Sequence, residues 1–397
     1  MRKLLVLIAL TALVVMLPAA SFAAATYVVT EDENTSANTA TVFSLNPTTG
    51  VLTQVKVLKT GGTALVGGFL AATTEAIAQT ANCVFVADTG SNDIAAFSKA
   101  TGYAKVGNFS NSALNWSNNF AGGSIALSPN GSFLYGAYSG SQNIGAWSVA
   151  ANCTLTFVNA YVPSTGGDLF ATLKVTPDGN DLIVPSLDNG VAVEFSINQT
   201  SGALTEVGNV SWNGFSVCIM SGCFPFGLDI TGDSKLAVFG NSTLANDGKY
   251  ALSANISTAG LSNPQIFTLN NSANVGNSTT PVFSAQSYPH GDGGMLFNMS
   301  GYFSPVENSG VVAAVINSTG PTVKVVGSTL IATPNTSCGG CTGSLRIHGN
   351  LAVIAVLPNL INVYNIDAAT GALTLLKSNI DANATSLVSL DVYPNTR

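Results

Sequence analysis

Beyond residue 25 the chain is written in short apolar runs separated by polar, turn-forming residues. No apolar stripe is sustained there at the 3.6-residue spacing of a helix. One phrase recurs: an apolar strand, a Pro/Asn/Asp/Gly turn, a second apolar strand, a polar loop, a third strand, a Thr-Gly turn and a fourth strand. The first turn is plain in Leu127-Ser128-Pro129-Asn130-Gly131-Ser132-Phe133-Leu134-Tyr135 and in Val175-Thr176-Pro177-Asp178-Gly179-Asn180-Asp181-Leu182-Ile183-Val184. Asn-Gly and Asp-Gly between apolar runs favour hairpins, because both residues tolerate positive φ. The third strand and its turn read Val42-Phe43-Ser44-Leu45-Asn46-Pro47-Thr48-Thr49-Gly50-Val51-Leu52-Thr53. They return from Val193 to Thr205 and from Val363 to Thr374.

The second strands begin near Tyr27, Val84, Phe133, Leu182, Leu236, Met295 and Leu351, at gaps of 57, 49, 49, 54, 59 and 56 residues. Seven four-stranded units of this size predict an all-β fold, a seven-bladed β-propeller over residues 24–397. The unit at Met295 is the least regular, with an insertion from Ser300 to Asn308 after its second strand. The ends of the chain complement each other. Tyr27-Val28-Val29-Thr30 is a second strand with no first strand before it, and Leu387 to Asn395 is a first strand with no second after it. Joined, they make one blade from both termini and leave no open edge.

Composition changes this picture in two ways. Only 33 of 397 residues are charged, 13 basic and 20 acidic, and mean hydropathy is +0.37, which raises the question of a membrane protein. The only long apolar stretch is Leu4 to Ala20. It follows Met1-Arg2-Lys3 and leads to Ala20-Ser21-Phe22-Ala23, the layout of a signal peptide over residues 1–23. Its loss removes Arg2 and Lys3, leaving 11 basic against 20 acidic residues. An exported acidic protein is expected, secreted or periplasmic, with a bacterial-type leader and no membrane span after cleavage. An apolar content of 46% excludes intrinsic disorder. Net negative charge without a Lys/Arg cluster excludes a nucleic-acid partner.

Six cysteines in an exported chain fit structural disulfides. Pairing nearest neighbours gives Cys218–Cys223 and Cys338–Cys341, and leaves Cys83–Cys153. This is one of 15 possible connectivities. Cys338-Gly-Gly-Cys341 also has the form of a redox or zinc motif, though nothing thioredoxin-like surrounds it.

The repeat Pro-Asp/Asn-Gly-x-x-Leu-Tyr/Ile-Val, a loop, then Val-x-Phe-Ser-Ile-Asn-x-x-Thr-Gly-Ala-Leu-Thr resembles the lactonase family of seven-bladed propellers. That family includes 6-phosphogluconolactonase-like and carboxymuconate cyclase-like proteins. The resemblance is strong in residues 27–60, 123–210 and 342–395. It implies a seven-bladed ring and a lactone or sugar-derived ester as substrate. The repeated motifs build blades and do not by themselves carry chemistry.

Propellers place ligands at the central channel, on the face carrying the loops into the first strands. Aligning those strands by their turns gives one channel-facing column: Ala76, Ala126, Lys174, Asp229, Gln286, Arg346 and Asp391. The next position is apolar in six of seven: Ile77, Leu127, Val175, Ile230, Ser287, Ile347 and Val392. In a chain so poor in charge, four charges in one column mark a candidate site. Lys174, Arg346 and Gln286 would bind a carbonyl or carboxylate, and Asp229, Asp391 or His348 would act as general base. His348 lies two residues after Arg346, on the same side of its strand. The competing reading is a charge-compensated ring that keeps the blades in register, in a non-catalytic module that binds a ligand or a protein.

His290-Gly-Asp292 reads as a loop. The acidic loops Glu31-Asp32-Glu33, Asp88 to Asp93 and Ser186 to Asn189 read as solvated turn caps, with Ca²⁺ ligation as the alternative. No G-x-S-x-G, HExxH, EF-hand or P-loop occurs, so no metal or cofactor is expected. A monomer acting on a small lactone or carbohydrate-derived molecule is the expectation, with an unidentified protein as the alternative partner.

Overall fold

The computed structural model describes residues 25–65, 75–116, 124–166, 169–170, 172–187, 189–216, 218, 223–241, 250–269, 282–290, 293–300, 308–317, 322–332 and 341–395. The proposed leader, residues 1–23, lies outside them, as do Asp188, Asp292 and Cys338.

Seven four-stranded antiparallel sheets form the ring. Blade one begins at Ile77–Gln79, blade two at Ile125–Leu127, blade three at Lys174–Val175, blade four at Pro225–Ile230, blade five at Val282–Tyr288 and blade six at Thr342–His348. Blade seven is closed by both ends of the chain. Its strand order is Leu390–Tyr393, Thr26–Glu31, Thr39–Leu45 and Leu52–Lys59. Tyr27 pairs with Tyr393 and Thr30 with Leu390. The termini thus complete one another as their sequences predict. The described residues contain one 3₁₀ turn, Lys99–Thr101, and no α-helix; none of their helices is long and apolar enough to cross a membrane.

The low charge follows from this architecture. Second strands such as Cys83–Asp88, Phe133–Tyr138 and Leu351–Val356 are buried at every position, because a blade packs on each face. Such strands read as continuous apolar runs. The outermost strands, such as Leu52–Lys59, carry most of the exposure. The core is a set of clusters between blades. Phe85, Trp116, Tyr138 and Trp147 fill one such space, with Trp116 stacked on Tyr138 at 4.2 Å. Trp212 meets Phe239 edge-on at 5.2 Å in another.

A register shift recurs between the third and fourth strands of every blade, at Val42/Phe43, Ala96/Phe97, Ala146/Trp147, Glu194/Phe195, Ser253/Asn255, Ala313/Ala314 and Val363/Tyr364. A bulge adds twist, and here an aromatic follows it in five of the seven. The Thr-Gly turn has a packing role. Gly202 holds φ +72°, and a Cβ there would collide with the Phe133 ring of the preceding blade. Gly50 and Gly371 occupy the same position against blades six and five, at φ +69° and +64°. Glycine is needed for both the left-handed backbone and the close approach.

Cys83–Cys153 and Cys218–Cys223 are disulfide-bonded, as nearest-neighbour pairing predicts. The first joins blades one and two. The pairing expected for Cys341 involves Cys338, outside the described residues.

Candidate functional site

The innermost strands surround the channel, and alternation turns every second side chain toward it. Observed registers place Ala126 opposite Tyr135, Lys174 opposite Ile183, Asp229 opposite Val238, Gln286 opposite Leu296, Arg346 opposite Val353 and Asp391 opposite Val29. The equivalent position in blade one is Ala78, opposite Phe85, and not Ala76. The turn of blade one closes from Thr80 to Cys83, whereas that of blade two runs from Ser128 to Phe133. It is two residues shorter, which displaces an alignment made on turn spacing. Gln79, and not Ile77, then occupies the neighbouring column.

The four column charges come together, and a fifth residue joins them. Glu75, just ahead of the first strand of blade one, places Oε1 3.7 Å from Lys174 Nζ and 3.4 Å from Arg346 Nη2. Lys174 Nζ also lies 2.9 Å from Asp229 Oδ1 and donates to the Leu228 carbonyl at 3.1 Å. Arg346 Nε lies 3.4 Å from Asp391 Oδ1, and Nη1 donates to its neighbour's carbonyl, Leu345 O. The result is an alternating chain, Asp229–Lys174–Glu75–Arg346–Asp391. It ties blade one to blades three and six across the ring. Thr172 Oγ1 donates to the second Glu75 oxygen at 3.1 Å.

These groups differ in access. Glu75, Lys174, Gln286, Arg346 and Asp391 line a channel cavity of about 500 Å³ that runs down to the turns at Pro129, Pro177 and Pro394. Asp229 is fully buried behind Lys174, and Ser287 donates to its Oδ2 from both N, at 2.5 Å, and Oγ, at 2.8 Å. It fixes Lys174 and does not line the cavity. Burial pushes the Asp391 carboxyl above the usual carboxylate range, against the opposing pull of Arg346.

His348 is also outside the cavity lining. One ring nitrogen lies 3.0 Å from Thr26 Oγ1 and the other 2.8 Å from Pro394 O. Both contacts reach into blade seven, so the imidazole sutures the ring at its closure. His290 packs edge-on to Tyr288, 5.9 Å away.

In the acidic loops expected as solvated caps, three carboxylates are buried instead, while Glu33 and Asp93 keep partial exposure. Glu31, Asp32 and Asp88 are 2%, 0% and 0% exposed. Among the described residues no group of His, Cys, Asp and Glu is arranged to hold a metal ion.

Sequence reasoning missed Glu75. Period-two alternation does not reach it, because it precedes the first paired residue, Ile77. The only available signal was an isolated acid next to an innermost strand in a low-charge chain.

Residues 99–220 match the family described as Lactonase, 7-bladed beta-propeller. With seven blades closed by mixed termini, the lactonase likeness read from the repeats holds. The match covers the end of blade one with blades two and three. No curated protein matches the lactonase-like chain in sequence. Among solved structures, a candidate 6-phosphogluconolactonase from Bacteroides fragilis is 17% identical with a TM-score of 0.66, covering 93% of this chain and 98% of its own. A Lactobacillus plantarum protein is 14% identical with a TM-score of 0.62, covering 93% and 99%. A functionally unknown protein from Desulfotomaculum acetoxidans is 14% identical at 0.60, covering 92% and 98%. At such identities the likeness establishes the fold.

Proposed function

We propose that this lactonase-like propeller is exported and hydrolyses a lactone or sugar-derived ester in its central channel. The observation that carries the reading is one cavity holding Arg346, Lys174 and Asp391 together. Arg346 and Lys174 polarise the carbonyl. Asp391 takes a proton from water as the water oxygen attacks the carbonyl carbon. The ring C–O bond then breaks, and the proton on Asp391 returns to the departing oxygen. Burial keeps the Asp391 carboxyl more basic than a free carboxylate, which suits a general base. Asp229 and Glu75 hold the two cations in place. The 6-phosphogluconolactonase assignment of the Bacteroides fragilis structure supports the reaction class. The two disulfides support an oxidising compartment, consistent with the leader at residues 1–23.

A second reading rests on the ion chain itself. Both channel cations are already paired with carboxylates. A ring built only for register needs nothing more, and a non-catalytic binding scaffold would keep it. A lactone panel with the wild type and Arg346→Ala separates the two. Turnover of at least one lactone, lowered at least 100-fold in the variant, supports the hydrolase. No turnover on any lactone, or turnover unchanged in the variant, overturns the site.

A further inference from the structure

The channel cavity does not end at the channel. A second cavity of about 430 Å³ lies on the face of the first turns, between blades one and two. The two share Gln79, Leu127, Ser128, Pro129 and Tyr393. Each falls within the ~300–1,000 Å³ typical of a small-ligand site. Together they form one path from the ion chain to the outer face.

The chemistry changes along this path. The inner cavity is lined by Glu75, Lys174, Arg346 and Asp391, whereas the residues lining the outer one carry no charge. Asn82, Asn130 and Ser132 lie there and are exposed. Their amides and hydroxyl provide both donors and acceptors. Tyr393 stands where the cavities meet. Its ring is steadied by Lys99, whose Nζ lies 4.4 Å from the centroid and donates to Gln79 Oε1 at 3.1 Å and Thr80 O at 2.8 Å. Gln79 in turn donates to the Asp391 carbonyl at 3.1 Å. Tyr393 shares its strand with Asp391, and these bonds tie that strand to blade one beside the junction. The Cys83–Cys153 disulfide anchors the outer wall, because Cys83 lines it.

An aromatic platform beside uncharged donors and acceptors suits a neutral polyhydroxylated ring, which has an apolar face and a hydroxyl rim. We infer that the outer cavity is a saccharide subsite. The substrate would be an oligosaccharide with its lactone or ester end in the channel and at least one neutral sugar unit between Tyr393 and Asn130. The orientation rests on the hydrolase reading, since it places the reacting end at Arg346. Sugar binding in the outer cavity does not.

Saturation-transfer NMR with maltose, cellobiose and lactose, none of which is a lactone, tests the subsite directly. The expected result is transfer to at least one disaccharide, weakened at least fivefold by Asn130→Ala and by Tyr393→Ala. Asn130 lies on an exposed turn, so that variant reads the subsite even if Tyr393→Ala fails to fold. No transfer to any of the three, or transfer unchanged in Asn130→Ala, overturns the proposal. Comparing cellobionolactone with gluconolactone then tests the orientation. Asn130→Ala should lower kcat/KM at least fivefold more for the disaccharide lactone, and an equal loss for both overturns it. If no lactone is turned over, the hydrolase reading falls while the NMR experiment still decides the subsite.

Discussion

Carboxylates are buried in two regions of this ring, and each region solves the problem differently. In the channel, Asp229, Glu75 and Asp391 are interleaved with Lys174 and Arg346. At the rim, where the second strands of blades seven and one end, Glu31, Asp32, Asp88 and Asp381 are buried as Glu75 and Asp229 are, whereas the Asp391 side chain keeps 15% exposure. Among the described residues no lysine or arginine pairs with them. Neutral donors serve there instead. Asn38 Nδ2 donates to Glu31 at 2.9 Å and to Asp88 at 2.8 Å. Thr39 and Thr41 donate to Asp32, and Thr30 donates to Asp381. Burial, reinforced by neighbouring carboxylates, pushes Glu31 up to about 8 and Asp32 and Asp88 up to about 7. The channel compensates charge with cations; at the rim Glu31, Asp32 and Asp88 hold their protons to higher pH instead.

The strongest way to break this contrast is to remove a channel cation. Arg346→Met leaves Glu75 and Asp391 buried with less counter-charge, and should cost about 3–5 kcal/mol in urea unfolding. If the ion chain is one unit, the Arg346→Met/Glu75→Gln double variant should recover part of that loss. Additive losses would show that the pairs act separately.

The rim should respond to pH. An acid whose folded pKa is raised binds its proton more tightly in the folded state, so stability falls as pH rises. The decline should run from about 4.5, the ordinary value for Glu31, to about 8, its value in the fold. The melting temperature is expected to drop across that interval. Glu31→Gln and Asp32→Asn should each flatten the drop, while a slope unchanged in both would refute proton retention at the rim.

Glu194 sharpens the comparison, since among the described residues neither a cation nor a neutral donor reaches its carboxyl. It is fully buried in blade three, and burial, reinforced by Asp181, pushes it to about 8. Glu194→Gln should be stabilising above pH 8, where the carboxylate is charged, by an amount on the order of 1–2 kcal/mol, and near neutral at pH 5. Equal effects at both pH values would count against a charge-driven cost. A comparably small effect belongs to His348, outside both groups. His348→Ala should cost about 1–2 kcal/mol for its lost suture to Thr26 and Pro394 and leave lactone turnover unchanged. A fall in turnover without loss of stability would return it to the site.

Much of the fold was legible because it repeats. Asn130-Gly131 and Asp178-Gly179 mark the first turns in the sequence, and both glycines adopt positive φ in the structure. The same device misplaced one residue of the site. Ala78, and not Ala76, faces the channel because blade one has the shorter turn. Lys174, Arg346, Asp229 and Asp391 were found as a column, since alternation on a paired strand is a local property. Glu75 was not, because its place in the ion chain depends on strands from blades three and six.

The sequence by itself determined the strand period, the turns, the number of blades and the complementary ends, all of which follow from local backbone preference and apolar patterning. Tertiary structure decided which charges meet, which are buried and where the cavity extends. Those properties arise only when blades far apart in sequence face one another across the channel, where distance and desolvation set the interaction.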